Sequence, residues 1–190
     1  VQNTMKKNTN FDIIDKNKVN FLENILISKF LYKKKIVPYG AHWIFFNENF
    51  NKKDLGLDGH PKRGKKIPLL KGYKRMFAGA NLVFKKKIYF EDKIKKITEV
   101  KPLLKKKSDN ENIYFLNLVN TFFRDNLEVL KETQTIVFVK NNHVSNKGKK
   151  NTNNINLKLL YKKKFKFNNI DLFRYSALTY NSHRIHYDLD

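Results

Sequence analysis

The chain has no cysteine, so it can build no disulfide framework and offers no thiolate for chemistry. It has no run of eighteen apolar residues, which excludes a membrane-spanning helix. The N-terminus shows no arginine-rich transit pattern and no apolar signal core. It begins at Val1 rather than Met, and an upstream piece is expected. Acidic residues are scarce. Asp and Glu number 17 against 40 Lys and Arg, leaving a formal charge of +23. Arginine is scarce too, with five of those cations, so the basicity is a lysine basicity accompanied by abundant asparagine. Lys and Asn share A- and T-rich codons, and compositional drift accounts for the charge as well as selection does. Readers of nucleic acid generally rely on bidentate arginine contacts, and charge excess alone says little about fold or partner. A basic, non-enzymatic scaffold bound to RNA is therefore the second reading, not the first.

What is present is enough for one ordinary domain or two small ones, with 41% hydrophobic residues to form a core. Residues 1–17 are polar, aperiodic and expected to be frayed. Asn20 and Glu23 are spaced as a capping pair. Leu22, Ile25, Leu26 and Phe30 recur at helical spacing and predict an amphipathic helix over about 18–34. Pro38 and Gly40 break it. Apolar runs near 78–91, 94–105, 112–123 and 133–140 read as strands, with turns at Asp92-Lys93 and Ser108-Asp109-Asn110. Lysine triplets at 33–35, 85–87, 105–107 and 162–164 suit element ends and strand edges, where they discourage edge-to-edge pairing. One helix and several antiparallel strands indicate an α+β layer. Residues 18–140 form this first domain, 141–157 an Asn-rich linker that includes a solvated His143, and 158–190 the start of a second domain. That last part opens with a strand at about 158–167 and a helix at about 170–179, capped by Asn168 or Asn169.

Two stretches carry most of the functional information. The first runs from His42-Trp43-Ile44-Phe45-Phe46 through Leu55-Gly-Leu-Asp58-Gly59-His60-Pro61-Lys-Arg-Gly64 to Pro68, Met76, Ala78-Gly79, Leu82 and Phe84. The second is Leu172–Asp190, LFRYSALTYNSHRIHYDLD, in which an apolar helix runs into a dense polar loop, a common way for a rigid base to present reacting groups. The Gly59–Lys66 segment is one residue from a phosphate-binding P-loop. Lys66 replaces the magnesium-binding hydroxyl and Pro61 removes a backbone N–H, so a nucleotide-hydrolysing site is not supported. The same basic loop could meet the phosphates of a coenzyme A or phosphopantetheine arm, although a solvated turn is the simpler reading.

In this order the two stretches resemble the MaoC-like hydratases and dehydratases of acyl thioesters. They are closest to the branch of mitochondrial-type 3-hydroxyacyl-thioester dehydratases and mesaconyl- or itaconyl-CoA hydratases, with an FAS1-like dehydratase domain at the N-terminus. Phe173–Asp188 is similar to that branch's FRYSALTFNxHRIHYD run. The broader family signature is Gly-Asp-x-Asn-Pro-Ile/Leu-His. Here Asn181 stands in the place of the Asp, His183 in that of the Asn and Arg184 in that of the Pro, while Ile185 and His186 match. The resemblance implies a hot-dog fold, an antiparallel sheet wrapped on a helix. The chain would hold the first, degenerate half of a double hot dog and the start of the second, as a piece of a longer protein ending soon after its most informative loop. On that expectation the piece alone is inactive, because donors to the thioester oxygen come from the segment beyond Asp190. The implied activity is that of a hydro-lyase, reversible addition of water to an enoyl thioester carried by CoA or acyl carrier protein. No metal or redox cofactor is implied. A cytoplasmic (bacterial) or mitochondrial-matrix location and an optional homodimer go with it.

Histidine suits proton transfer near neutral pH, so His186 is the expected general base and acid. Asn181 orients water, through its carbonyl or its amide, but cannot transfer a proton as Asp could. Then His186 performs both transfers, another group joins in, or the substrate carries a carboxylate near the double bond. Arg184, a planar fork, could clamp such a carboxylate, or make a structural bond instead. His183 is assigned to substrate binding. Asp188 could orient either histidine. A metal held by His183, His186, Asp188 and Asp190 lacks a third firm anchor.

Overall fold

The computed structural model of the protein describes residues 7–26, 35–64, 67–108, 111–142, 162 and 164–188. Its central element is β5 (Glu111–Arg124). Leu116, Leu118, Asn120 and Phe122 are buried at every second position along it, the period of a strand with one covered face. β6 (Leu127–Lys140) returns antiparallel through Asp125-Asn126, whose φ values of 47° and 68° make the two-residue turn that matches strand twist. β2 (Tyr73–Phe84) pairs with the far side of β6 and bulges between Phe77 and Gly79. The other side of β5 is shared by β3 (Lys93–Val100) and β4 (Leu104–Ser108). Pro102, which has no N–H for the ladder, separates those two. β1 (Lys7–Ile13) pairs with β3 and completes the order β1-β3-β5-β6-β2, antiparallel throughout.

Helix α1 (Lys16–Leu26) and the 3-10 turn Ala41–Ile44 cover one face of this sheet. Val19, Leu22, Ala41, Ile44, Phe45 and Phe46 meet Ile94, Phe122, Val129 and Leu130 in the main core. Each such side chain contributes about 1.5–3 kcal/mol on burial. The result is the hot-dog fold, α+β. A second apolar cluster, Leu116, Leu118, Ile136 and Phe138, lies further along the sheet. Next to both runs a polar row of direct cross-strand neighbours, Thr98, Asn120 and Glu132. Thr98 Oγ1 donates to Asn120 Oδ1 at 2.7 Å, and Asn120 Nδ2 donates to Glu132 Oε2 at 2.8 Å.

Several boundaries differ from the sequence reading. Residues 7–13, expected to be frayed, are held as a strand by backbone bonds to β3, a partner more than eighty residues away. Helix α1 starts at Lys16 because Asp15 Oδ1 accepts from Asn17 N at 2.8 Å, so Asn20 and Glu23 lie inside the helix. β2 ends at Phe84 rather than continuing to 91, and β6 begins at Leu127 rather than 133. Residues 164–168 are not in a strand. Residues 27–34 of the helix expected over 18–34, most of the expected linker including His143, and residues 158–161 lie outside the described residues.

Candidate active site

Helix α2 (Asn169–Leu178) is the platform of the site. Asn168 Oδ1 accepts from Ile170 N and Asp171 N, and Asp171 Oδ2 accepts from Asn168 N, a complete capping box that fixes where the helix begins. The inner face of α2 packs Tyr175 and Leu178 onto the main core, and Asn47 Nδ2 donates to Leu178 O at 3.2 Å. The chain leaves the helix through Tyr180, at φ 52°. It then folds back, with Asn181 N donating to Ser176 O at 2.8 Å. A short 3-10 turn, Arg184–His186, follows.

This return brings His186 over the helix, with its Nδ1 2.7 Å from Ser176 Oγ. His186 and Asn181 line one cleft of about 800 Å³, together with Ser176, Tyr187, His60 and Trp43. Asn181 Oδ1 accepts from His183 N at 3.0 Å, so the carbonyl end of this amide serves the local turn. Arg184 Nε donates to Asp188 Oδ2 and its side chain is 53% exposed. That ion pair holds the guanidinium and Asp188 together, and Arg184 does not line the cleft.

His183 turns to a neighbour the sequence reading did not provide. Its ring centroid is 4.0 Å from that of His60 and 6.0 Å from that of His186. His60 arrives from the Gly-rich loop, where Leu55 and Pro61 form a bridge and Gly56 N donates to His60 O at 2.7 Å. The two loops are bonded to each other. Arg184 N donates to Asp58 O at 2.9 Å, and Ser182 Oγ donates to Gly59 O at 2.6 Å. The fit is close enough that a Cβ on Gly59, at φ +76°, would lie 1.7 Å from Ser182 O. The start of the segment that imitates a P-loop in sequence, with Asp58 before it, thus docks the His-rich loop. Both stretches stand out in the sequence, but their contact, 123 residues apart, does not.

Burial, with Arg75 and His183 adding positive charge nearby, pushes the His60 imidazole down to about 4. Burial also lowers His183. Both rings are therefore neutral at pH 7. Asp58, His60 and His183 offer one carboxylate and two imidazole ligand atoms within 4.8 Å of one another, the set that could hold a metal. Arg75 adds a fixed positive charge beside them, which opposes a cation there.

A second cavity of about 510 Å³ adjoins the cleft and shares Trp43, Gln134 and Thr179 with it. Glu132, 2% exposed, lines it. Burial raises this carboxyl, but His42, with donors on Gln134, Trp43 and Asn120, outweighs burial and holds it at about 2. Trp43 Nε1 donates to Oε1 at 2.6 Å and Gln134 Nε2 at 3.0 Å, while His42 Nε2 stands 3.7 Å away, an electrostatic contact beyond hydrogen-bond reach. The row Thr98–Asn120–Glu132 thus gives this cavity a charged, fully bonded wall.

Sheet, helix and loop together define a hot-dog protein. The chain belongs to the hydroxyacyl-thioester dehydratase type 2 family, whose model matches residues 40–190. It is 27% identical over 150 residues to the mesaconyl-C(4)-CoA hydratase of Chloroflexus aurantiacus, a match covering 77% of this chain and 52% of that protein. The chain thus spans about half the length of that relative. Among solved structures, HtdX of Mycobacterium tuberculosis superposes with a TM-score of 0.60 at 12% identity, over 96% of this chain and 64% of that one. The ChsH1–ChsH2 complex of the same organism gives a TM-score of 0.50 at 13% identity, over 71% and 83%. At these identities the structures speak to the fold. No helix among the described residues is long and apolar enough to cross a membrane.

Proposed function

We propose that the protein adds water reversibly to the double bond of enoyl thioesters, with His186 as the proton-transfer group. The observation that carries this is the placement of His186 and Asn181 on one cleft, at the end of a capped helix, in a chain of this family. His186 takes a proton from water as the water oxygen bonds to the β-carbon, and the electron pair of the double bond moves towards the thioester oxygen. The imidazolium then returns its proton to the α-carbon on the same face. One imidazole on one face suffices for syn addition, so the replacement of an acid by Asn181 does not remove the route. With its Oδ1 taken by His183 N, Asn181 has its amide Nδ2 left to hold the water oxygen as a donor.

The adjoining cavity supports an acyl group that carries a carboxylate over a plain long alkyl chain, because Lys62, Arg75 and Lys96 line it beside the amides of Asn120 and Gln134. A methyl-branched dicarboxylic thioester, the kind named for the Chloroflexus relative, fits that description. CoA or acyl carrier protein is the handle, and the lysine-rich surface favours either anion. On this reading residues 18–140 are the first hot-dog unit and 158–190 open the second.

The test is to express the protein from its full reading frame and follow loss of the enoyl-thioester absorbance with crotonyl-CoA, mesaconyl-CoA and a C12 enoyl-CoA. Turnover is expected, fastest with mesaconyl-CoA. A preference for C12 would overturn the assignment of acyl class, and no turnover on any of the three would overturn the activity.

A further inference from the structure

We infer that Ser176 is a positioning residue that selects the reactive tautomer of His186. The inference rests on the reading of His186 as the proton-transfer group. A serine hydroxyl has one proton, and that of Ser176 is committed: its Oγ donates to Leu172 O, one helical turn back, at 2.7 Å. The same Oγ lies 2.7 Å from His186 Nδ1. Two acceptors cannot share this contact, so the imidazole must be the donor. His186 then carries its proton on Nδ1, and in the neutral ring Nε2 keeps the lone pair that takes a proton from water.

Three further features fit this role. Ser176 is buried, at 7% exposed, so water does not compete for its oxygen. Its hydrogen bond to Leu172 O lies inside a helix whose start is fixed by the capping box, so the acceptor sits at a set height above α2. Its own backbone carbonyl accepts from Asn181 N at 2.8 Å, which makes one helical residue the common anchor of both groups that meet the water. Only the first of these anchors uses the side chain. Ser176→Ala therefore removes the tautomer control and leaves the bond to Asn181 in place.

The experiment compares the full-length protein with Ser176→Ala and Ser176→Thr, and reads two quantities. One is the histidine tautomer at His186, from ring nitrogen shifts in ¹⁵N-labelled protein at a pH where the ring is neutral. The other is hydration of mesaconyl-CoA or crotonyl-CoA across pH. In the parent the Nδ1–H form should dominate. In Ser176→Ala the Nε2–H form should appear, with kcat lowered about 10–100-fold, less than the whole of what general acid–base catalysis supplies because the histidine itself remains, and KM little changed. Ser176→Thr, whose hydroxyl can make the same backward bond in a helix, should restore the parent tautomer and most of the rate. Melting temperatures of the three proteins identify any loss that is merely unfolding. The Nε2–H form already dominant in the parent, or an alanine variant with unchanged tautomer and kcat, would overturn the inference. The tautomer reading needs no turnover, so a parent that hydrates nothing would overturn the proposed activity while the tautomer still decides the role of Ser176.

Discussion

Gly59→Ala is the sharpest probe of how the two loops make one site. Gly59 sits at φ +76°, a region that costs an L-residue about 1–2 kcal/mol. The added methyl carbon would also fall 1.7 Å from Ser182 O, so that carbonyl must retreat by well over 1 Å to reach ordinary contact. Retreat breaks the bond from Ser182 Oγ to Gly59 O and strains the bond from Arg184 N to Asp58 O. At about 1 kcal/mol each, these bring the total to about 3–4 kcal/mol, enough to undock the loop. Both bonds lie within five residues of His186, and a displacement of about 1 Å at a reacting group costs about 100-fold in rate. Gly64 is the matched control. It also has positive φ, at +109°, but a Cβ there meets nothing within 4 Å. The assay is steady-state hydration of mesaconyl-CoA by both variants beside thermal melts. Gly59→Ala should lose about 100-fold in kcat, and Gly64→Ala should lose only a little stability. Equal kcat in the two variants would refute the docking of one loop by the other.

Three further outcomes follow from the electrostatics. Glu132 titrates at about 2 when folded, against an ordinary 4.5, so its contribution is fully present above pH 4.5 and is lost as pH falls towards 2. Urea midpoints should reveal about 3 kcal/mol lost across that window in the parent, and no such slope in Glu132→Gln. His60 is shifted the other way for a base, from 6.5 down to about 4, so the unfolded chain takes the proton first. Stability is full above pH 6.5, falls by about 1–2 kcal/mol between 6.5 and 4 after allowing for screening, and levels off below; His60→Asn should abolish that step in the same titration. Arg184 is already paired with Asp188 outside the cleft. Arg184→Lys should leave the ratio of kcat/KM for mesaconyl-CoA to that for crotonyl-CoA within about twofold, and a tenfold fall in that ratio would reinstate the carboxylate clamp.

The parts of the fold legible in the sequence are those fixed by neighbours in the chain. The apolar run at 112–123 marked β5, where Leu116, Leu118 and Phe122 share one face, and Asn168 or Asn169 announced the start of α2, which Asn168 caps. The Asn181–His186 spacing marked the loop. The parts that were not legible depend on partners far away. The strand Lys7–Ile13 is polar and looks frayed until β3 supplies its bonds. Glu132 lies outside the strand expected over 133–140 and has no marked role in the sequence, yet three donors reach it from β5, β6 and the 3-10 turn after Gly40. Asp125-Asn126 lacks the Gly that usually marks a tight hairpin turn, although Asn and Asp tolerate positive φ better than other residues. Arg184 and Asp188 sit four apart, a spacing that allows the ion pair, but only the fold shows that neither lines the cleft.

The central claim is that His186 transfers the proton. The most direct measurement is kcat of the full-length protein and of His186→Gln on mesaconyl-CoA at saturating substrate, with folding of both verified by melting. The account predicts a loss of about 100- to 10,000-fold, the range general acid–base catalysis supplies, with the variant still binding substrate. A folded variant that keeps more than about a tenth of the parent rate would contradict it and move the chemistry to another residue of the cleft.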